Sequence, residues 1–139
     1  MKKNAYAQVL RLWKAYQSIK ICNSDGCKPD LPDGFIISAC NPESKVCSAQ
    51  QNRIKSEKLQ RYFASHSLVH QSLLVGDADF DWVEPSFWAD INEKQAINLA
   101  ALYRQNAIYQ IQQSELLLVP VLLKGLTTTS LGMLSRFSI

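Results

Sequence analysis

Two short signatures fix where this chain must turn helical, and through them much of what it can fold into. Ser48 is followed three residues later by Gln51, and Asn92 three residues later by Gln95. In each pair the first side chain caps free N–H groups of a helical first turn, and the glutamine can reach back to the cap's own N–H. After Ser48, residues Asn52, Ser56, Leu59 and Phe63 follow a spacing of four, three and four. They share one helix face, with Tyr62 and His66 beside it, while Lys55, Lys58 and Arg61 lie largely on the other side. After Asn92, a helix over 93–105 carries Ala96, Leu99, Ala100 and Tyr103 on one face. Ile97 and Leu102 make that helix apolar elsewhere too, which predicts a well-buried element.

Around these helices the pattern is mostly of strands. Residues 3–14 are expected to be helical, with Ala5, Val9, Leu10 and Trp13 on one stripe. AYQSIKIC (15–22) alternates and predicts an early strand, and NSDGCKPDLPDG (23–34) is a loop by its glycines, prolines and aspartates. FIISA (35–39) is a short continuous apolar strand, of the type covered on both faces. LVHQSLLV (68–75) and SFWADI (86–91) are strands on either side of an acidic loop, GDADFDWVEP (76–85). AIYQI (107–111) and ELLLVPVLL (115–123) form a hairpin around Gln112–Ser114. The segment 124–139 has no clear period and is expected to be a docked or flexible tail. The order α-β-β-α-β-β-α-β-β predicts an α/β (α+β) fold. It is read as one compact domain over 1–139, a mixed sheet of about five or six strands with two to three helices packed on it.

Composition narrows the function classes. Of 139 residues, 47% are apolar and 19% charged, which is globular rather than disordered. A net charge of +3 is mild and lacks the basic footprint of a dedicated nucleic-acid binder. Lys45, Arg53, Lys55, Lys58 and Arg61 surround one helix, but Glu57 interrupts them and no aromatic side chains interleave, so nucleic acid is not an expected partner. The longest apolar run, LLLVPVLL, is broken by Pro120 and falls short of the roughly 20 residues of a membrane span. Arg11 and Lys14 interrupt the lysine-led start, which argues against a secretory signal. A cytoplasmic location is therefore expected, with no membrane contact.

The four cysteines, Cys22, Cys27, Cys40 and Cys47, are spaced C-x4-C and C-x6-C rather than as the C-x2-C pairs of zinc ribbons. Free thiols are the expectation, with no metal and no cofactor. Asp77, Asp79, Asp81 and Glu84 superficially resemble a calcium loop. The positions where such a loop needs glycine and a bidentate glutamate hold Trp82 and Trp88, so a solvated acidic loop is expected. A Cys–His catalytic pair has little support. Cys47 and His66 mark the two ends of one helical stretch, more than about 20 Å apart at 1.5 Å per residue, and His70 is merely available.

Three boxes stand out together: NPESKVCSAQQN (41–52), EPSF (84–87) and RQNAI (104–108). In order and spacing they resemble a bacterial domain-of-unknown-function family, number 3293, over roughly residues 9–121. That family's boxes run W-N-P-x-S with S-x-x-E-N behind, then E-P-S-F, then G-Q-N-A-I at the end of a helix. The chain is similar to the family at Asn41, Pro42, Ser44, Ser48, Asn52, Glu84, Pro85, Ser86, Gln105 and Asn106. It departs at Cys40, where tryptophan is usual, and at Gln51, where glutamate is usual and the capping role is kept. The resemblance implies a fold and a candidate site but no reaction.

Asn41 stands where a strand ends and Asn52 on the sheet-facing side of the next helix. Glu84 and Ser86 lie at the next strand but one, and Gln105 and Asn106 close the last helix. With Ser44 they form an expected crevice of Asn41, Ser44, Asn52, Glu84, Ser86, Gln105 and Asn106 for a small polar or nucleotide-like ligand. The same side chains can equally satisfy local backbone groups and tie the loop down. No catalytic residue is assigned, and the sequence leaves open whether the chain is an enzyme while leaning away from one; were there catalysis, Glu84 is the carboxylate placed for general acid–base work. The alternative is a non-enzymatic interaction module with a protein partner or a second copy, working through Trp82–Trp88 or the tail.

Overall fold

The computed structural model describes residues 2–139. Helix α1 (Lys2–Tyr16) leads into β1 (Ile19–Asn23), and a long loop then reaches β2 (Gly34–Ile37). A 3-10 turn at Pro42–Ser44 precedes α2 (Ala49–Ser65). The hairpin of β3 (His70–Asp77) and β4 (Val83–Ala89) follows, then α3 (Glu93–Leu102). The second hairpin joins β5 (Ala107–Gln112) to β6 (Glu115–Pro120), and β7 (Thr129–Met133) completes the strands. Both helix starts carry the capping box that the sequence encodes: Ser48 Oγ accepts from the Gln51 N–H at 3.1 Å and Asn92 Oδ1 from the Gln95 N–H at 2.8 Å. Each glutamine side chain accepts from its cap's N–H in return.

This is a single mixed α+β domain, with three helices and one seven-stranded sheet in the order β1-β3-β4-β2-β5-β6-β7. Every strand pairing in it is antiparallel, not mixed as the element order suggests. Two helical crossovers need not create parallel pairs when each delivers its strand to the far side of an element already placed. β2 accordingly lies in the centre, flanked by β4 and β5, and all four of its residues are buried. The extra strand comes from the tail, where Leu117 and Leu118 of β6 pair with Ser130 and Thr129 across a register shift. The irregularity, together with Gly132 at φ 109°, conceals the two-residue period in the sequence.

Other boundaries shift as well. Half of the acidic segment is hairpin arm, because β3 runs to Asp77 and β4 begins at Val83, with Gly76 opposite Val83. The Asp77 carboxylate accepts from the Asp81 N–H at 2.9 Å and so ties the hairpin tip. Helix α3 stops at Leu102 and buries only Ala96, Leu99 and Ala100; Leu102 is 74% exposed, so this helix is one-sided rather than buried all round. The β5–β6 turn is the tight Gln113–Ser114 pair, both at positive φ, the geometry whose twist matches the flanking strands.

The sheet separates two cores. Phe35, Ile37, Phe87, Ala89 and Ile108 face α2 and α3, meeting Leu59, Phe63 and Leu99. The alternate residues Ile36, Trp88, Tyr109 and Ile111 face the other way, against Trp13 of α1 and Leu134 of the tail. At the sheet centre a Cβ on Gly34 would come within 2.5 Å of Trp88 Nε1, which donates to the Pro32 carbonyl at 3.0 Å. Only glycine fits under that ring.

Candidate functional site

β2 ends at Ile37, paired with Phe87, so the earlier residues of β4 have no β2 neighbour beside them. Pro85, which has no N–H to give a ladder, stands two residues beyond that last pair. Antiparallel order does the rest. It sets the start of β4 and the start of β5 beside the end of β2, which brings the three sequence boxes to one place.

The opening leads into a cavity of about 340 Å3 on the α1 face of the sheet. Leu12, Ala15 and Tyr16 of α1 form one wall, and Ile19, Ile36 and Val75 give it an apolar interior. Ser38, Glu84 and Ser86 supply polar groups, with Asn41, Ser44 and Gln105 also lining the space. Ser38 Oγ donates to Glu84 Oε1 at 3.0 Å, and Trp82 Nε1 donates to Glu84 Oε2 at 3.0 Å. Ser86 is buried, and its hydroxyl donates to the Glu84 carbonyl at 3.3 Å. Tyr109 lies at the cavity with its hydroxyl donated to the Tyr16 carbonyl, and burial pushes its pKa well above the ordinary tyrosine value.

Asn41, Ser44, Glu84, Ser86 and Gln105 thus meet at one cavity, while Asn52 and Asn106 do not line it. Asn52 belongs to α2, on the opposite face, and acts on the loop. Its Oδ1 accepts from the Asn41 N–H at 2.9 Å and its Nδ2 donates to Asn41 Oδ1 at 2.9 Å, which also accepts from the Cys47 N–H at 2.9 Å. Asn106 Nδ2 donates to Ser44 Oγ at 2.9 Å, and Ser44 Oγ also bonds the Tyr16 hydroxyl. Gln105 Nε2 donates to the Cys40 and Tyr103 carbonyls, each at 3.1 Å.

This network holds an unusual backbone. Asn41, Glu43 and Ser44 have φ of 48°, 56° and 60°. Each such non-glycine residue costs of order 1–3 kcal/mol and persists only where its surroundings over-determine it. Here Asn52 fixes one end and Asn106 the other, and the Glu43 N–H donates to the Arg104 carbonyl at 2.7 Å. Arg104 pairs with Glu43 through its side chain as well, and has a φ of 55° just after α3. That is the helix-end position where glycine is favoured.

A second, more open hollow of about 530 Å3 lies against α2. It contains Asn52, Arg53 and Glu57, and shares Asn41, Trp82 and Glu84 with the first. Cys40 lies between them, its thiol 3.4 Å from Ser56 Oγ, and burial raises its pKa against the lowering effect of Ser56 and Ser38. His66 and His70 are engaged with the Tyr62 and Leu68 carbonyls. Among the described residues no group of three or more His, Cys, Asp or Glu side chains is placed to hold a metal ion.

Sequence reasoning did not place Ser38, Tyr16 or Tyr109 at the crevice, and weighed Asp77 only as part of the acidic loop. For Ser38 a signal existed: it breaks the run FIISA at the residue that shares a face with Ile36. For Tyr16 there was none, since helix α1 lies far from the boxes in sequence.

The fold and the hollow define an antiparallel α+β domain with a small, partly polar cavity between sheet and N-terminal helix. The chain belongs to the family described as a protein of unknown function (DUF3293), which it matches over residues 37–108, more than half of its length. That span holds all three boxes and the polar floor of the cavity, but not the α1 wall. No curated protein and no solved structure matches the chain. Among the described residues no helix is long and apolar enough to cross a membrane.

Proposed function

We propose that this protein binds a small amphipathic molecule in the cavity beneath α1. The observation that carries this reading is the set of Ser38, Glu84 and Ser86 on a sheet face whose neighbouring positions are apolar. Polar groups and a carboxylate on a core-facing surface are costly unless they are partnered, and packing alone would be served better by apolar residues there. The volume lies in the range of small-molecule sites, which are mainly apolar with a few placed polar groups. The loop strain held by Asn41, Asn52 and Asn106 points the same way, because such strain collects at ligand clamps. Asn52 and Asn106 then serve as positioning residues.

A nucleotide is the less suitable ligand. Its phosphates would meet Asp77 and Glu84, and among the described residues no Lys, Arg or His lines the cavity to offset them. The alternative of a protein partner is weakened at Phe87 and Trp88, each 5% exposed, and rests on Trp82, which is 45% exposed. Trp82 is also bonded to Glu84 and walls the cavity, so the ligand reading accounts for it.

The test is a ligand-observed NMR screen of small amphipathic compounds against the native protein and Ala107→Phe, which fills the cavity from β5. Hits that disappear in a variant with a cooperative thermal transition support the reading. No hits, or hits indifferent to the substitution, overturn it.

A further inference from the structure

The chemistry around this cavity is one-sided, although the chain as a whole carries more basic than acidic residues. Among the described residues, its charged lining residues are Asp77 and Glu84. Among the described residues the one ion pair joins Arg104 to Glu43, so neither carboxylate has a cationic partner.

The hydrogen-bond inventory leans the same way. The Trp82 indole N–H and the Ser38 hydroxyl are both directed to Glu84, and the Ser86 hydroxyl to the Glu84 carbonyl. Both Gln105 amide hydrogens go to backbone carbonyls, and Tyr109 donates to the Tyr16 carbonyl. Donor capacity remains at the Asn41 amide nitrogen and at one hydroxyl of the Tyr16–Ser44 pair. Acceptor capacity is larger: a carboxylate offers about four lone-pair sites, and Glu84 has one bond on each oxygen. The lone pairs of Ser86 and the second oxygen of Asp77 add to it. Three aromatic side chains, Tyr16, Trp82 and Tyr109, line the same space.

We infer that the ligand carries a protonated amine on an apolar or aromatic body, with Glu84 as the counter-ion for the ammonium group. An ammonium donates up to three hydrogen bonds, accepts none, and is attracted to aromatic faces. It therefore meets what the cavity leaves open, whereas an anion would meet two carboxylates. This rests on the cavity reading above and names the ligand class for it.

Three indoles that differ in the head group test it: tryptamine, the neutral tryptophol and anionic indole-3-propionate, titrated at pH 7 by NMR or calorimetry. Tryptamine is expected to bind about tenfold or more tighter than tryptophol, as a charge-assisted bond replaces a neutral one, with indole-3-propionate weakest. Glu84→Gln is expected to bring tryptamine down to the level of tryptophol while leaving tryptophol within about threefold, and Asp77→Asn to reduce the preference less. Equal or tighter binding of tryptophol or indole-3-propionate by the native protein overturns the inference, as does a preference that survives Glu84→Gln. Absence of binding by all three also overturns it, and the Ala107→Phe comparison with the wider library then tells whether the cavity itself takes ligands.

Discussion

The two faces of the central sheet are built from the same strands and resolve the same problem differently. Toward α2 and α3, the end of β2 and the start of β4 present Ile37, Ala39 and Phe87, which close on Leu59 and Phe63. Toward α1, the same two stretches present Ser38, Glu84 and Ser86, and a cavity is left under the helix. Strand alternation assigns each residue to one face or the other. The difference shows that packing governs one side, while the other keeps polar groups that packing would not select.

The largest effect is expected on the closed face. Phe63→Ala removes a ring with no exposed surface, and should cost about 3–5 kcal/mol in urea unfolding. A loss below 1 kcal/mol would mean that this face is not the rigid side. Next comes the tie between the faces. Asn52→Ala leaves the Asn41 N–H without its acceptor and should cost about 1–3 kcal/mol. Hydrogen exchange at Asn41 and Cys47 should rise with it; unchanged protection there would show that the strained loop holds without Asn52.

A third expectation concerns pH. The native pKa of Tyr109 lies well above its unfolded value of about 10, through burial. A raised acid pKa contributes stability that is fully present below about pH 10 and is lost as pH climbs toward the native value. Stability should therefore fall on the alkaline side, and Tyr109→Phe should flatten that limb; an unaltered alkaline profile would assign the fall to other groups. The smallest effect belongs to the cavity face. Ser86→Ala gives up one long bond and should change stability by less than about 1 kcal/mol, while weakening binding of any ligand held there. A stability loss as large as that of Asn52→Ala would make Ser86 a structural residue.

The same contrast explains what could be read from the chain beforehand. Helices α2 and α3 were legible because cap and apolar stripe are local, and Ser56, Leu59 and Phe63 are indeed the buried residues of α2. The element order followed, but the all-antiparallel pairing did not, since periodicity records which face a residue takes and not which neighbour a strand finds. β7 was hidden by its bulge. The three boxes do meet at one end of β2, but the inward stripe of α2 belongs to the face opposite the cavity under α1. Asn52 reaches the loop from behind, and the wall that completes the cavity comes from α1, whose Tyr16 carries no local mark of its role.

One contact at the sheet margin bears on how the molecule is assembled in time. The outer side of β1 is occupied by residues 137–139: the Ile21 N–H donates to the Phe137 carbonyl at 2.7 Å, and the Ile139 N–H to the Ile21 carbonyl at 2.8 Å. Strand β1 thus waits for a partner more than a hundred residues later in the chain, on top of β3 about fifty residues later. Such non-local closure is entropically slow and raises the contact order. Refolding should then show protection of the β2–β4–β5 centre before β1, with α1 and the cavity it walls among the last parts to form.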